Sequence, residues 1–391
     1  MPTPDTAAPS VVFELLARLR EIAPLIRANA AEADRLARLP RPCADALVRN
    51  GLFRIWIPKR ADGWELSLPD ALRVYTAAAR IDGSAGWAVM IGSGGGLFAA
   101  YLDHETAKTL YARPDALIAG SGAPDGHAER VPGGYRASGS WHYASGAHYA
   151  TTFTANCLIT ESGRAVNDQD GKPLVRAMAF DASDVTVTPV WNTTGMRGTG
   201  SDDFGARDVF VPETRTFSVF NDTLQDAGVV YRLPFGVLTE LPVASVALGV
   251  AQHVVETFAT LAVRKKPHGA GYSLASDPWV QGRFAQAHAV CVHAEAGLMK
   301  LAEAAWEAAL ANRPLSQPEL AQITAGCALA VARLRDAVDE LIAVSGMNGV
   351  QIEDELARAW RDLQTVAAHG SVSPRRLTEA GKALLAADAD A

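Results

Sequence analysis

The sequence predicts an α+β fold in three parts: a helical N-terminal region, a β-rich centre and a helical C-terminal region. Apolar residues recur at helical spacing at both ends of the chain, and between them the period shortens to strand-like alternation. Size agrees, because 391 residues exceed one domain of about 100–200 residues. An apolar content of 49% supplies large cores. The three parts are read as residues 1–117, 118–225 and 226–391.

In the first part, "VVFELLARLREIAPLIRANAAEADRLARLP" places Leu15, Leu16, Leu19, Ile22 and Ile26 on one helical face. Pro42 and Gly51 bracket a second helix, "CADALVRN". "LPDALRVYTAAARIDGSAGWAVMIGSGGGLFAAYL" reads as a further helical pair, rich in small residues and therefore closely packed. In the centre, "GGYRASGSWHYASG", "YATTFTANCLIT", "LVRAMAFD" and "DVTVTPVW" are β-type runs separated by Gly, Pro, Asp and Asn. In the last part, "PVASVALGVAQHVVETFATLAV" and "WVQGRFAQAHAVCVHAEAGLMKLAEAAWEAALAN" are long helices. The next helix opens with a Ser316–Glu319 capping box and stops at Gly346. "EDELARAWRDLQTVAAHG" and "SPRRLTEAGKALL" follow, and the short loops between helices predict an antiparallel bundle.

Composition excludes several classes. The net charge is −7, and basic residues are scattered apart from Arg264–Lys266 and Arg375–Arg376, so nucleic acid is not an expected partner. Cys43, Cys157, Cys291 and Cys327 form no CxxC pair, and their spacing suits neither a metal site nor a disulfide framework. A reducing cytoplasm fits them. The N-terminal "MPTPDTAAPS" has neither the basic nor the apolar segment of a signal peptide. No apolar run reads as long enough to span a bilayer, so no membrane is expected.

The stretch "GMRGTGSDDF", residues 195–204, holds three glycines. A dinucleotide or phosphate loop must open a helix, where backbone N–H groups converge on phosphate. Here β-type runs lie on both sides, so the glycines sit in a strand-to-strand loop. Gly198 and Gly200 either let backbone N–H groups approach a ligand or serve a turn with positive φ. Thr199 and Ser201 add short hydroxyls.

Four motifs in register, "DGSAGWAVMIGS", "GGYRASGSWHYASG", "WNTTGMRGTGSDDFGARDVFVPE" and "RAWRDLQTVAAHGSVSPRRLTEAGKALL", resemble the acyl-CoA dehydrogenase superfamily. More narrowly, they resemble its class D flavin monooxygenases, the oxygenase components of two-component systems. The resemblance spans almost the whole chain. It implies an N-terminal helical domain, a central β-barrel-like domain and a C-terminal four-helix bundle. It also implies reduced FMN or FAD supplied by a flavin reductase, O2 as co-substrate, and hydroxylation or N-oxygenation of a small aromatic or heteroaromatic molecule through a flavin C4a-hydroperoxide. Superfamily members are usually dimers of dimers, so a homotetramer is implied.

The same resemblance nominates site residues. In "SWHYASG", alternation places Trp141, Tyr143 and Ser145 on one face, with His142 and Ala144 on the other. An ordinary core strand accounts for that alternation equally well. The resemblance puts Tyr143 at a flavin-stacking position and Ser145 where a hydroxyl bonds the flavin. It adds Trp141, Gly120, Ser121, Thr199 and Ser201 as cofactor-binding positions. Arg264 resembles an arginine that reaches a neighbouring subunit's flavin phosphates. His369, after "RD" at Arg361–Asp362, matches a histidine aimed at the substrate; a helix-capping role suits it too. Glu353 falls where dehydrogenases of the superfamily place their base, or is a helix-start acid. Phenol hydroxylases of the branch often carry a histidine shortly after the tryptophan of the first motif. Here Ser93–Gly96 reads "SGGG", which implies a more open cavity floor and a bulkier or non-phenolic substrate. Three functions stay open: the monooxygenase, an FAD-dependent acyl-CoA desaturase with Glu353 as base, and a silent flavin-binding assembly partner.

Overall fold

The computed structural model describes residues 10–220, 222–226 and 228–389. The N-terminal stretch read for a signal peptide therefore lies outside the described residues, except for Ser10. Helix α1 (Val11–Leu36) buries Leu15, Leu19 and Ile26, as the spacing predicts. Pro42 sits in the first turn of α2 (Arg41–Arg49). Ser67 caps α3 (Leu68–Ile81), and Asp82 caps α4 (Gly83–Gly94) by accepting from the Ala85 N–H at 2.9 Å. Small residues draw these helices together: a Cβ on Gly86 would stand 2.4 Å from the Cα of Ala79. A short helix, α5 (His104–Tyr111), follows; the sequence reading had not separated it.

The centre contains β1 (Ile118–Val131), β2 (Gly134–Ala144), β3 (Thr152–Glu161), β4 (Arg164–Ala165), β5 (Val175–Asp181), β6 (Thr186–Thr188), β7 (Asp202–Pro212) and β8 (Thr216–Phe217). They form one sheet in the order β6-β7-β2-β1-β3-β5-β8, with β4 on β3. The β1–β3 pair is parallel and the others are antiparallel. β1 carries no strand signal in the sequence, because "IAGSGAPDGHAERV" lacks alternation. Its register on β3 shifts between Ser121 and Gly126, as at a bulge. Trp141, Phe153, Phe180 and Phe204 fill the sheet's core, with the Trp141 and Phe204 rings stacked at 5.2 Å.

Five helices complete the chain: α6 (Val237–Arg264), α7 (Pro278–Leu310), α8 (Gln317–Ser345), α9 (Glu355–Ala367) and α10 (Arg375–Ala389). The Ser316–Glu319 capping box forms, and α8 stops at Gly346 with φ 62°. Helix α6 corrects one expectation. It contains a stretch long and apolar enough to cross a bilayer, but 61% of that stretch is buried inside the protein. It is the core helix on which α3, α4, α7, α8 and α9 pack. All four cysteines are free and buried, and burial pushes their thiols up.

One contact ties the parts together. Asp362 on α9 is buried, and its carboxylate accepts from the Met196 N–H in the loop between β6 and β7. Gly195 makes the approach possible, since a Cβ there would lie 2.0 Å from the Arg361 carbonyl oxygen. Gly83 at the start of α4 borders the same carboxyl, where a Cβ would stand 2.9 Å from its Oδ2. Burial, reinforced by the neighbouring Asp82, pushes the Asp362 carboxyl up to about 8. A raised carboxyl contributes stability that is complete below the unfolded value of about 3.9 and is lost as pH rises through the folded value. Asp362→Asn keeps an oxygen for the Met196 N–H and removes the titration. Melting temperature between pH 4 and 8 should therefore fall less steeply with pH in the variant. Parallel curves for the two proteins would refute this.

Candidate active site

A cavity of about 800 Å3 lies where the three parts of the chain meet. Met90 and Ile91 on α4 and Leu238 and Val243 on α6 give it apolar walls, and Gly120 and Ser121 on β1 line it from the sheet. The segment after α9 contributes His369 and Ser371. The Ser371 N–H donates to Nδ1 of His369 at a long 3.3 Å. In the neutral ring Nε2 then carries the hydrogen, so His369 offers the cavity a donor. His369 keeps exposed surface, and desolvation by the protein packed around its ring lowers its pKa.

Trp87 of α4 joins His369 to a second cluster. Its ring meets the imidazole edge-on at 5.4 Å, and its N–H donates to Ser145 Oγ at 2.9 Å. Ser145 and Ser201 are 2.7 Å apart, as are Ser201 and Thr199, and Thr199 donates to the Met196 carbonyl at 2.8 Å. That last bond fixes the direction of the chain. A hydroxyl has one hydrogen, so Thr199 must accept from Ser201, and Ser201 from Ser145. Ser145 thus spends its hydrogen on Ser201, accepts from Trp87, and keeps one lone pair free.

Other candidates land elsewhere. Trp141 and Tyr143 do not share a face, because Tyr143 has φ 67° and the β2–β7 register shifts between Trp141 and Ala144. Trp141 is sealed in the sheet's core and donates to the Asn156 carbonyl, so it presents no surface to a cofactor. Tyr143 is 71% exposed, with its ring against Trp191. Its left-handed backbone is costly for a tyrosine, and it turns the chain so that Ala144 and Ser145 both point inward. The glycine loop also has structural causes: Gly200 has φ 54°, and a Cβ on Gly198 would lie 2.8 Å from the Cβ of Ser84. Arg264 is exposed at the end of α6 and borders a separate pocket of about 440 Å3 with Arg27, Arg80 and His253. Glu353 is exposed ahead of α9 and does not line the cavity that holds His369. Sequence reasoning missed Trp87 as a site residue, although it ends the "DGSAGW" segment already singled out. It also missed Asp362 as the tether of the glycine loop.

The helices, inserted sheet and bundle, with a cavity at their junction, define the acyl-CoA dehydrogenase fold class. The family described as "Acyl-CoA dehydrogenase, C-terminal domain" matches residues 241–374. The chain is 30% identical to the indole-3-acetate monooxygenase of Pseudomonas putida over 91% of its own length and 89% of that protein. It is 27% identical to the oxygenase component of the FADH2-dependent resorcinol hydroxylase of a Rhizobium species, over 95% and 93% of the two chains. Among solved structures, XiaF from a Streptomyces species, in complex with FADH2 and glycerol, superposes with a TM-score of 0.87. It shares 25% identity over 97% of this chain and 96% of that one. The chain belongs to the flavin-dependent monooxygenases, as an oxygenase component.

The residues present fit a flavin. The cavity is large enough for a tricyclic ring and is lined by Gly120, Ser121 and His369; Ser145, Thr199 and Ser201 are not among its lining residues, although the buried Ser145 Oγ keeps an unused acceptor position. The hydroxyl chain itself is testable without cofactor. Thr199→Val should leave the buried Ser201 hydroxyl without its acceptor and cost roughly 1–3 kcal/mol in urea unfolding. Thr199→Ser should stay near wild type. Equal losses from both substitutions would show that the hydroxyl is not what matters.

Proposed function

We propose that this oxygenase hydroxylates or N-oxygenates a small aromatic or heteroaromatic molecule held in the cavity beside His369. The reading is carried by one juxtaposition: His369 and the Ser145 chain contact the same indole, that of Trp87, and His369 lines the largely apolar cavity. The relatives named for indole-3-acetate and resorcinol support an aromatic substrate. Reduced FMN or FAD, supplied by a separate reductase, activates O2 for transfer of one oxygen atom.

Each residue's part follows from its bonds. Ser145 has a lone pair to offer and no free hydrogen, so it accepts. Reduced flavin carries an N–H at N5 and oxidised flavin does not, which makes Ser145 a partner for the reduced form. His369 presents Nε2–H and holds a substrate oxygen or nitrogen by donation rather than by removing a proton. The apolar walls exclude water from the reacting atoms. Thr199 and Ser201 fix the direction of the Ser145 hydroxyl. Gly120 and Ser121 form the sheet side of the cavity. The four buried, free cysteines suit the reducing cytoplasm.

Assembly belongs to the same proposal. Val292 and Leu310 on α7 and Leu329 on α8 are about half exposed, on helices with small-residue faces. A homotetramer that packs these faces would give Arg264, remote from its own cavity, a neighbouring subunit's flavin phosphates to bind. Tyr143 would stack on the flavin from its exposed position. Light scattering should find a tetramer at micromolar concentration; a stable monomer would sink the assembly.

The activity is tested with a flavin reductase, NADH, 18O2 and indole or resorcinol, and the expected product carries one labelled oxygen. His369→Ala should lose about 10²–10³-fold in kcat, as loss of a single preorganised donor does, and release hydrogen peroxide instead. His369→Gln retains a donor and should recover part of the rate. Glu353→Gln should keep wild-type activity. Because neutral and protonated imidazole both donate from Nε2, protonation of His369 should not abolish activity, and kcat/KM in wild type and in His369→Gln should show the same acid-side pH profile. Reduction of bound FAD by an acyl-CoA, with no reductase and no labelled product, would overturn the proposal.

A further inference from the structure

We propose that Gly94 sets substrate size: its missing side chain makes the space that admits a two-ring aromatic. The inference rests on the substrate reading above and deepens it. Gly94 closes α4 with φ −59° and ψ −39°, ordinary helical backbone. No left-handed cap requires glycine there. Its neighbours differ. A Cβ on Gly95 would stand 2.6 Å from the Cβ of Ile118, and one on Gly96 would stand 2.7 Å from the Ile57 nitrogen. Those two glycines are dictated by close packing. A Cβ on Gly94 would meet nothing within 4 Å.

Glycine in a helical conformation is less stable than alanine, and neither backbone geometry nor packing accounts for it at this position. The cavity does, because Gly94 lines it together with Met90, Ile91, Leu97 and Phe98 from the same segment. A side chain at Gly94 would project into open space that a substrate can fill. The recognised chemistry is therefore an apolar fused-ring body, with indole as the smallest suitable probe.

The test uses the full chain with reduced FMN under anaerobic conditions. Calorimetry measures indole and phenol binding to wild type, Gly94→Ala and Gly94→Leu. Filling part of an apolar pocket changes discrimination by about tenfold or more. The ratio of indole to phenol Kd should rise by about that factor in Gly94→Leu and by less in Gly94→Ala. The melting temperature of Gly94→Ala should equal or exceed that of wild type. The affinity for reduced FMN should not change. Parallel weakening of indole and phenol, unaltered indole binding in Gly94→Leu, or no indole binding to wild type overturns the inference. So does a loss of FMN affinity, which would assign the space to the cofactor. If wild type follows the size rule yet incorporates no labelled oxygen, the oxygenase reading fails and the size rule stands.

Discussion

The site depends on the buried carboxyl of Asp362. It holds the Met196 N–H, and the Met196 carbonyl in turn accepts from Thr199 and from the Trp191 indole. From Thr199 the hydroxyl chain runs through Ser201 and Ser145 to Trp87, and the Trp87 ring rests against His369. His369 lies just beyond the end of α9, the helix that carries Asp362. The circuit therefore leaves α9, crosses the sheet's loop and α4, and returns to the segment where it began. A displacement of any one part shifts both the Ser145 hydroxyl and the imidazole. A carboxylate in such a place is expensive even with Arg358 and the Met196 N–H beside it, and the raised pKa of Asp362 reflects that cost. It persists because a backbone N–H with no other acceptor needs it.

The helical parts were legible in the sequence because their signals are local. The Ser316 capping box, the Gly346 stop and the buried face of α1 each follow from a few neighbouring residues. β1 was not legible, because its pairing with β3 is long-range and its glycines serve close approach; a Cβ on Gly120 would lie 2.1 Å from the Thr154 carbonyl oxygen. Alternation failed at Tyr143 for a similar reason. A single left-handed residue breaks the alternation, so that Tyr143 turns outward and Ala144 inward, and no pattern of hydrophobicity announces that. The apolar stretch of α6 was passed over in the sequence; 61% of it is buried, against α3, α4, α7, α8 and α9.

The site was legible in part. His369 and Ser145 were reached only through the resemblance, since a histidine at a helix end and a serine at a strand end are ordinary features. Trp87 stood in view within "DGSAGW", but its double contact depends on two segments far apart in the chain, Ser145 and His369, meeting at one indole. The glycines of "GMRGTGS" drew attention for a ligand role that packing and positive φ account for instead. Beside them, the hydroxyls of Thr199 and Ser201 form the chain that leads to Ser145.

Placement at a three-part junction suits the reaction. An oxygenase must hold an apolar substrate, a flavin and O2 together while keeping water away from the reacting atoms. A cleft within the sheet alone would expose one side, and a pocket within the bundle alone would lack the strand-end hydroxyls. Here α4 and α6 supply the apolar wall, β1 the sheet side, and the turn after α9 the imidazole. The polar groups needed for orientation are few, and Trp87 links the hydroxyl chain to the imidazole through one rigid side chain. The hydroxyl chain takes its direction from a backbone carbonyl, which cannot ionise or rotate. Ser145 is therefore presented as an acceptor whatever the protonation state of the cavity.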